Sequence, residues 1–176
     1  IGWISTLDQN GVVNLAPYSF YNALCDMPPI VGFSSTGRKD SIRNIEATGE
    51  FVANFVSKSL AAAMNTTSAA VAAEVDEMAL AGLTPAACRL VAAPRVAEAP
   101  AALECKLLQI VRLHDVNGNP LEQYLALGQV VGVHMDPRYL KNGYFDTAAA
   151  QPILRAGYRG DYAEISAMFE MLRPGT

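Results

Sequence analysis

The chain lacks the sequence features that are typical of zinc-binding, disulfide-rich, membrane-spanning and nucleic-acid-binding proteins. Its three cysteines form no C-x-x-C pair and it has only two histidines, which fits neither a disulfide framework nor a zinc site. No apolar run reaches the roughly 18 residues of a membrane-spanning helix. The net charge of -4 and the scattered cations leave no basic surface for nucleic acid. We expect a cytoplasmic protein without a membrane or nucleic-acid partner.

Isolated histidines and cysteines are more often structural than catalytic. His114 and His134 have no neighbouring Cys or His in the sequence to complete a ligand set, so we predict structural or surface histidines and no metal. Cys25 and Cys105 have no basic neighbour that would lower the thiol pKa. Both are predicted to be small, buried apolar groups.

Length and hydrophobic patterning indicate one mainly β domain. A chain of 176 residues, 51% of them hydrophobic, suits a single core over residues 1–176. Residues 1–16 predict a hairpin whose second strand ends at Pro17. Residues 102–116 and 122–135 predict a second, longer hairpin. Because helical stretches lie between the hairpins without regular βαβ alternation, the pattern favours an antiparallel barrel with inserted helices.

Four helices are predicted between and after these strands. Asp40 is a good N-cap for a helix that Gly49 ends. The alanine-rich residues 59–64, the segment 74–81 and the amphipathic residues 162–172 predict the others.

The stretch from Asn14 to Asn44 carries the chemistry that a bound phosphate requires. A short apolar strand leads into a hydroxyl cluster, two adjacent cations and the predicted helix start. A helix N-terminus presents unpaired N–H groups and a partial positive charge, to which oxyanions bind. A polar loop with solvated cations is the alternative, and the residues alone do not distinguish one phosphate-bearing cofactor from another. The candidate donors are Ser34, Ser35, Thr36, Arg38 and Lys39.

A series of motifs in one order carries a family resemblance. They are GWISTLD, NLAPYSFYNAL, FSS followed by RKDSIRN, GEFVANFVS, MNTTS, VDEMALAGL, the PRV to LEC segment and ILRAGYRGDY. In this combination the chain resembles the flavin reductase-like proteins with the FMN-binding split-barrel fold. The resemblance implies a six-stranded antiparallel split β-barrel, a homodimer with FMN near the subunit interface, and NADH or NADPH as substrate.

The resemblance also implies which residues contact the cofactor. The isoalloxazine ring would lie against Asn14, Ala16, Pro17, Tyr18 and Ser19. The ribityl and phosphate groups would contact Ser34, Ser35, Arg38, Lys39, Asp40, Ser41, Asn65 and Ser68. Arg155 and Tyr162 would lie near the flavin or the nicotinamide.

These expectations define a leading hypothesis and two alternatives. The first is an FMN-dependent NAD(P)H:flavin oxidoreductase, which transfers a hydride from nicotinamide to flavin and supplies reduced flavin to a separate monooxygenase. Such an enzyme needs stacked rings rather than a dedicated catalytic side chain, and the absence of a G-x-G-x-x-G motif fits transient binding of the nucleotide. The alternatives are an FMN-binding electron carrier without NAD(P)H oxidase activity and a dimeric scaffold without cofactor.

Overall fold

One antiparallel sheet of seven strands forms the body of the protein in a computed structural model that describes residues 1–175. The strands are β1 (Gly2–Leu7), β2 (Val13–Tyr18), β3 (Tyr21–Asp26), β4 (Pro29–Thr36), β5 (Glu50–Asn54), β8 (Ala101–His114) and β9 (Pro120–Met135). Their spatial order is β2-β1-β5-β8-β9-β4-β3. The mainly β prediction is confirmed, with seven strands in this sheet rather than six.

The two edge strands of this sheet are consecutive in sequence. Only Ser19 and Phe20 separate β2 from β3, and two residues span less than about 11 Å. The sheet therefore curls until its edges approach each other. The N–H of Ser34 in β4 donates to the carbonyl of Phe20 at 2.9 Å and holds this connection in place.

The long C-terminal hairpin is confirmed. It runs from the pair Ala101 and Met135 to the pair His114 and Pro120, and three register shifts interrupt its ladder. Such irregularities bend a strand and increase its twist. The bent hairpin pairs with β5 on one side and with β4 on the other, so it joins the two halves of the barrel.

Three apolar clusters stabilise the fold, and two of them cover β1 and β2. Inside the barrel, Phe33 lies between Tyr18 and Phe51, with ring centroids 4.5 and 5.6 Å apart. Outside it, Trp3 and Leu15 belong to a second buried cluster that also contains side chains of the central helices. β1 and β2 are therefore covered on both faces, as expected for strands between two layers.

Helix α1 (Asp40–Thr48) closes the barrel interior with the buried Ile42 and Ile45. Gly49 ends it in the left-handed region at φ 74°, and its N–H donates to the carbonyl of Ile45. The helix is as predicted, but the capping residue is not. Lys39 occupies the N-cap position, and Asp40 lies inside the first turn, where it forms an ion pair with Arg43.

The remaining elements are short. A 3₁₀ turn over Lys58–Leu60 leads into α2 (Ala61–Thr66), and another covers Pro137–Tyr139. Asp76 caps α3 (Glu77–Leu80) by accepting a hydrogen bond from the N–H of Ala79. The helix predicted over 74–81 is therefore shorter than expected. These elements are α2 (Ala61–Thr66), α3 (Glu77–Leu80), α4 (Thr147–Ala150), β6 (Pro85–Ala86), β7 (Arg95–Val96), β10 (Leu140–Lys141), β11 (Tyr144–Phe145), β12 (Ile153–Arg155) and β13 (Tyr162–Glu164).

Two predictions about chain breaks and helices are wrong. Pro17 lies within β2, paired with Trp3, because β2 is an edge strand and loses no ladder hydrogen bond on its open side. Residues 162–172 do not form a helix: β13 pairs with β12, and the following residues are irregular. Phe169 is 83% exposed, so the amphipathic face finds no surface in this chain to pack against, and such packing supplies most helical stability.

No helix among residues 1–175 has the length and apolar character needed to cross a membrane.

Candidate functional site

A cavity of about 350 Å³ lies between β2, the N-terminal turn of α1 and the segment that follows α2. It brings together eight of the fifteen predicted site residues. These are Asn14, Ala16, Pro17, Tyr18, Lys39, Asp40, Ser41 and Ser68. Arg43, Thr67, Ala69, Ala70, Val71 and Glu77 complete the lining. Four of the five residues that the resemblance assigns to the ring and four of the eight that it assigns to the ribityl and phosphate groups therefore share one cavity.

The N-terminus of α1 is open toward an anion. No side chain caps this helix, so the N–H groups of its first turn keep the hydrogen-bonding capacity that helix geometry leaves unused. Lys39 is exposed at the N-cap position, and within residues 1–175 its ammonium group forms no ion pair. Donors and a cation at a helix N-terminus are the arrangement that binds phosphate.

A buried polar network fixes β2 against this helix. Nδ2 of Asn14 donates to Oγ1 of Thr6 at 3.1 Å and to Oγ of Ser41 at 2.9 Å. Burial raises the pKa of Tyr18, and hydrogen bonds with the side chains of Ser41 and Ser35 act in the opposite direction. The strand and the helix therefore meet through side chains that are themselves held in place.

Glu77 is a member of the cavity that the sequence did not single out. This side chain is 7% exposed, and its Oε2 accepts a hydrogen bond of 3.0 Å from the N–H of Leu15. Burial raises the pKa of its carboxyl group. The signal in the sequence is an acidic residue directly before the buried Met78 at the start of a short helix, a position where burial of a carboxylate is unusual.

Four predicted phosphate contacts lie outside the cavity lining. Oγ of Ser34 accepts a 2.6 Å hydrogen bond from Gln123, Oγ of the buried Ser35 donates to the carbonyl of Gly37, and Arg38 forms an ion pair with Glu46. The fourth is Asn65, which is exposed on α2. Ser19, assigned to the ring, is also exposed and absent from the lining.

Arg155 and Tyr162 are neighbours but do not line this cavity. They face each other in the β12–β13 pair, with the guanidinium carbon 4.8 Å from the centroid of the tyrosine ring. Leu154, the residue before Arg155, lines a second, largely apolar cavity of about 380 Å³. Its other walls include Phe55 and Met135.

The one half-buried histidine belongs to a structural clamp. The buried carboxylate of Glu104 accepts hydrogen bonds from the N–H groups of residues 89–91 and from Nε2 of His134. Burial would raise the pKa of Glu104, but these hydrogen bonds outweigh it and lower the pKa. Cys88 lies beside the pair, and burial raises its pKa to about 11. Because the carboxylate's lone pairs are taken and the thiol stays protonated, we interpret this cluster as a clamp on the loop.

The predictions for the other histidine and for two cysteines have different outcomes. His114 is exposed at the end of β8, as predicted. Cys105 is buried in the barrel core, as predicted, but Cys25 is exposed on β3. The error arises because β3 is an edge strand whose residues from Asn22 to Asp26 are all exposed, so that neither of its faces is covered there.

Comparisons with known proteins agree with this geometry. The model of the flavin reductase like domain matches residues 1–152. A protein of Aquifex aeolicus is 40% identical over 122 residues, a match that covers 66% of this chain but only 62% of that protein's length. Nitrilotriacetate monooxygenase component B from Bacillus cereus is 32% identical, with a TM-score of 0.88 over 97% of this chain and 85% of that one.

A further solved structure supports the fold alone. A protein with a split-barrel domain from Shewanella frigidimarina is 24% identical, with a TM-score of 0.85 over 98% of this chain and 84% of that chain. The seven-stranded curled sheet is thus a split barrel, and the chain belongs to the flavin reductase-like family.

Proposed function

We propose that the protein binds FMN in the cavity between β2 and α1 and uses NADH or NADPH to reduce flavin. The observation that carries this proposal is the uncapped N-terminus of α1, with Lys39 beside it, opening into the same cavity as Ala16, Pro17 and Tyr18. The α1 side of the cavity offers donors and a cation, and the β2 side offers the apolar residues Ala16 and Pro17. A ligand made of a flat ring joined to a phosphate is matched to this cavity, because its phosphate requires donors and a cation and its ring requires an apolar surface.

The residues of the cavity divide into two proposed roles. Lys39, Ser41 and Ser68 bind the phosphate together with the free N–H groups of α1. Ala16 and Pro17 present a strand edge to the ring, and the side chain of Pro17 excludes water from that face. Of the other predicted contacts, Ser34 and Ser35 act as supports, since they lie outside the cavity lining and their hydroxyls bond to Gln123 and to the carbonyl of Gly37.

The protein's contribution to the reaction is positional. Bound FMN supplies the chemistry of accepting a hydride from the nicotinamide, and hydride transfer of this kind needs alignment and water exclusion rather than a side-chain acid or base. The network of Asn14, Ser41 and Tyr18 provides that rigidity, because it joins the strand to the helix through buried hydrogen bonds.

A second copy of the chain is the proposed partner at the exposed edge of the sheet. Phe20 is 70% exposed and Met27 86% exposed at the two ends of β3. Val133 and Met135, both exposed on β9, lie at the mouth of the 380 Å³ apolar cavity. A large exposed apolar surface marks an interface, and these four side chains are the support for one here. A homodimer would cover it and would bring Arg155 and Tyr162 toward the partner.

The physiological acceptor that we propose is a flavin-dependent monooxygenase. The support is the likeness to a protein named as component B of a monooxygenase, with 32% identity over nearly the whole chain. A reductase component that releases reduced flavin to an oxygenase would work with a cavity that is open to solvent, as this one is.

Steady-state oxidation of NADH and NADPH with free FMN as acceptor tests the proposal. We expect oxidation of at least one nucleotide that depends on both protein and flavin. If the protein binds FMN, and dithionite but neither nucleotide reduces it, the electron-carrier hypothesis replaces the reductase. A protein that binds no FMN contradicts both the reductase and the electron-carrier hypotheses, and the hypothesis of a scaffold without cofactor then remains.

A further inference from the structure

Charged or titratable side chains of α1 and β2 line the cavity together with Glu77, and the lining segment over residues 67–71 contributes none. Helix α1 contributes Lys39, Asp40 and Arg43 to the same cavity, and β2 contributes the phenol of Tyr18. On its own short helix the neighbouring acid is Asp76. Both Asp40 and Asp76 act on Glu77 as like charges. The carboxylate is thus buried beside the proposed phosphate position rather than paired with a cation.

The positive and negative charges of the side chains that line the cavity balance one another before any ligand enters. Lys39 and Arg43 are positive, and Asp40 and Glu77 are negative when ionised. Arg43 is already engaged by Asp40 and by the carbonyl of Arg38. A phosphate monoester brings a charge of about -1.5 to -2 near pH 7. With Glu77 ionised, that charge enters a cavity whose only uncommitted cation is opposed by a buried carboxylate.

We propose that Glu77 takes up a proton from solution as the phosphate of FMN enters the cavity, which makes the affinity for FMN pH-dependent; this inference rests on the proposed function. Like charges that share a site cannot all stay ionised, and the group that is most easily neutralised takes the proton.

Glu77 is a better proton acceptor than Asp40 for structural reasons. Asp40 is only half-buried and forms an ion pair with Arg43, which favours its charged form. Glu77 is buried and is held by backbone N–H groups alone, those of Leu15 and of Glu77 itself. Burial already raises the pKa of Glu77, and an incoming dianion raises it further. The bond from Leu15 survives protonation, because a neutral carboxyl group still accepts at one oxygen.

Calorimetric titration of the apoprotein with FMN measures the number of protons that the protein takes up on binding. At about pH 7, the heat of binding is compared between two phosphate-free buffers whose ionisation enthalpies differ, which gives the number of protons taken up per FMN. We expect uptake by the wild-type protein, none by Glu77→Gln, and unchanged uptake by Glu74→Gln, an exposed control outside the cavity. Equal uptake by wild type and Glu77→Gln overturns the inference, because the proton then goes to the phosphate or to another group.

The pH profile gives a second readout. Between about pH 6 and pH 8 the wild-type affinity for FMN should fall as pH rises, by at most about tenfold per pH unit for one linked proton. The affinity of Glu77→Gln should change less, and the affinity for riboflavin, which carries no phosphate, should stay flat in both proteins. Parallel FMN profiles for the two proteins contradict the inference.

A measurement on the unmodified protein removes any dependence on the folding of the variant. The infrared difference spectrum of wild-type protein with and without FMN should gain a band from a protonated carboxyl group, and its absence overturns the inference. If FMN does not bind at any pH, the proposed function fails and the inference fails with it. If FMN binds without proton uptake, only the inference fails.

Discussion

Nδ2 of Asn14 in β2 donates a hydrogen bond of 2.9 Å to Oγ of Ser41 in α1. This bond joins the strand that we assign to the ring to the helix that we assign to the phosphate. Both side chains are buried, and the same amide also donates to Thr6 of the neighbouring strand. The distance between the two halves of the cavity is therefore set by the protein before any cofactor binds.

Replacing Asn14 with Ala should destabilise the protein. The change removes the Asn14 amide donor from the buried hydroxyls of Ser41 and Thr6, of which Thr6 keeps a second donor in Nδ2 of Asn44. The loss should lower the free energy of unfolding by about 1–3 kcal/mol. Urea denaturation measures the difference. Asn22→Ala, at an exposed position on β3, is the matched control and should stay close to wild type. Equal stability of the two variants would show that the Asn14 bonds contribute nothing.

Lys39 and Arg38 are adjacent cations with different surroundings. Lys39 lines the cavity, and Arg38 pairs with Glu46 outside it. Lys39→Ala should therefore weaken FMN binding by about 1–3 kcal/mol, the value of a charge-assisted hydrogen bond. Arg38→Ala should leave the affinity within about threefold of wild type, because exposed ion pairs contribute little. Equilibrium dialysis distinguishes them, and a larger loss from Arg38→Ala would move the phosphate to the other cation.

Gly128 in β9 leaves room for an aromatic ring of the core. A Cβ atom built at this position would lie 2.5 Å from Cζ of Phe51 and 3.1 Å from Cβ of Cys105. Gly128→Ala should therefore destabilise the fold by about 1–3 kcal/mol through overpacking. Gly157→Ala is the control, since nothing lies within 4 Å of its added Cβ. Thermal unfolding compares the two, and a Gly128→Ala midpoint at or above that of the control would contradict this packing.

Glu104 should make the stability depend on pH in the acid range. Its folded-state pKa is lowered from the ordinary value of 4.5, so the unfolded chain binds a proton more readily than the folded one. The stabilisation is then fully present above about pH 4.5 and is lost as pH falls through the folded-state pKa.

Glu104→Gln removes this dependence because its side chain does not ionise. Near neutral pH the variant should be less stable by on the order of 3 kcal/mol, since an amide cannot accept all the hydrogen bonds made by the carboxylate. Urea denaturation at several pH values should show the gap to wild type narrowing below about pH 4.5. The exposed Glu122→Gln is the control. A gap that is constant with pH would mean that the Glu104 charge does not stabilise the loop.

Features with a local cause were predictable from the sequence. Helix α1 is predictable because a glycine follows it, which the structure places at φ 74°, and because Ile42 and Ile45 share one face. The long hairpin is predictable because the turn residues at 117–120 separate two strand-like runs. In each case residues close in sequence determine the structure.

Features that depend on distant partners were not predictable. Nothing in the adjacent letters of Arg38 and Lys39 shows that Glu46 pairs with the first and that the second faces a cavity. Pro17 can lie within a strand only because β2 is at the sheet edge, which the whole topology decides. Glu77 lines the cavity because α3 packs on β2. The hydrogen bond from the N–H of Leu15 to Glu77 joins residues that are 62 positions apart in the sequence.

The contribution of the phosphate group to binding tests the central claim most directly. Titration of the apoprotein with FMN and with riboflavin, followed by quenching of flavin fluorescence, compares two ligands that share the ring and the ribityl chain. We predict that wild type binds FMN at least about tenfold more tightly, as expected for one or more charge-assisted hydrogen bonds, and that Lys39→Ala loses most of this preference. Equal affinities of the wild-type protein for the two flavins would contradict a phosphate site at the N-terminus of α1.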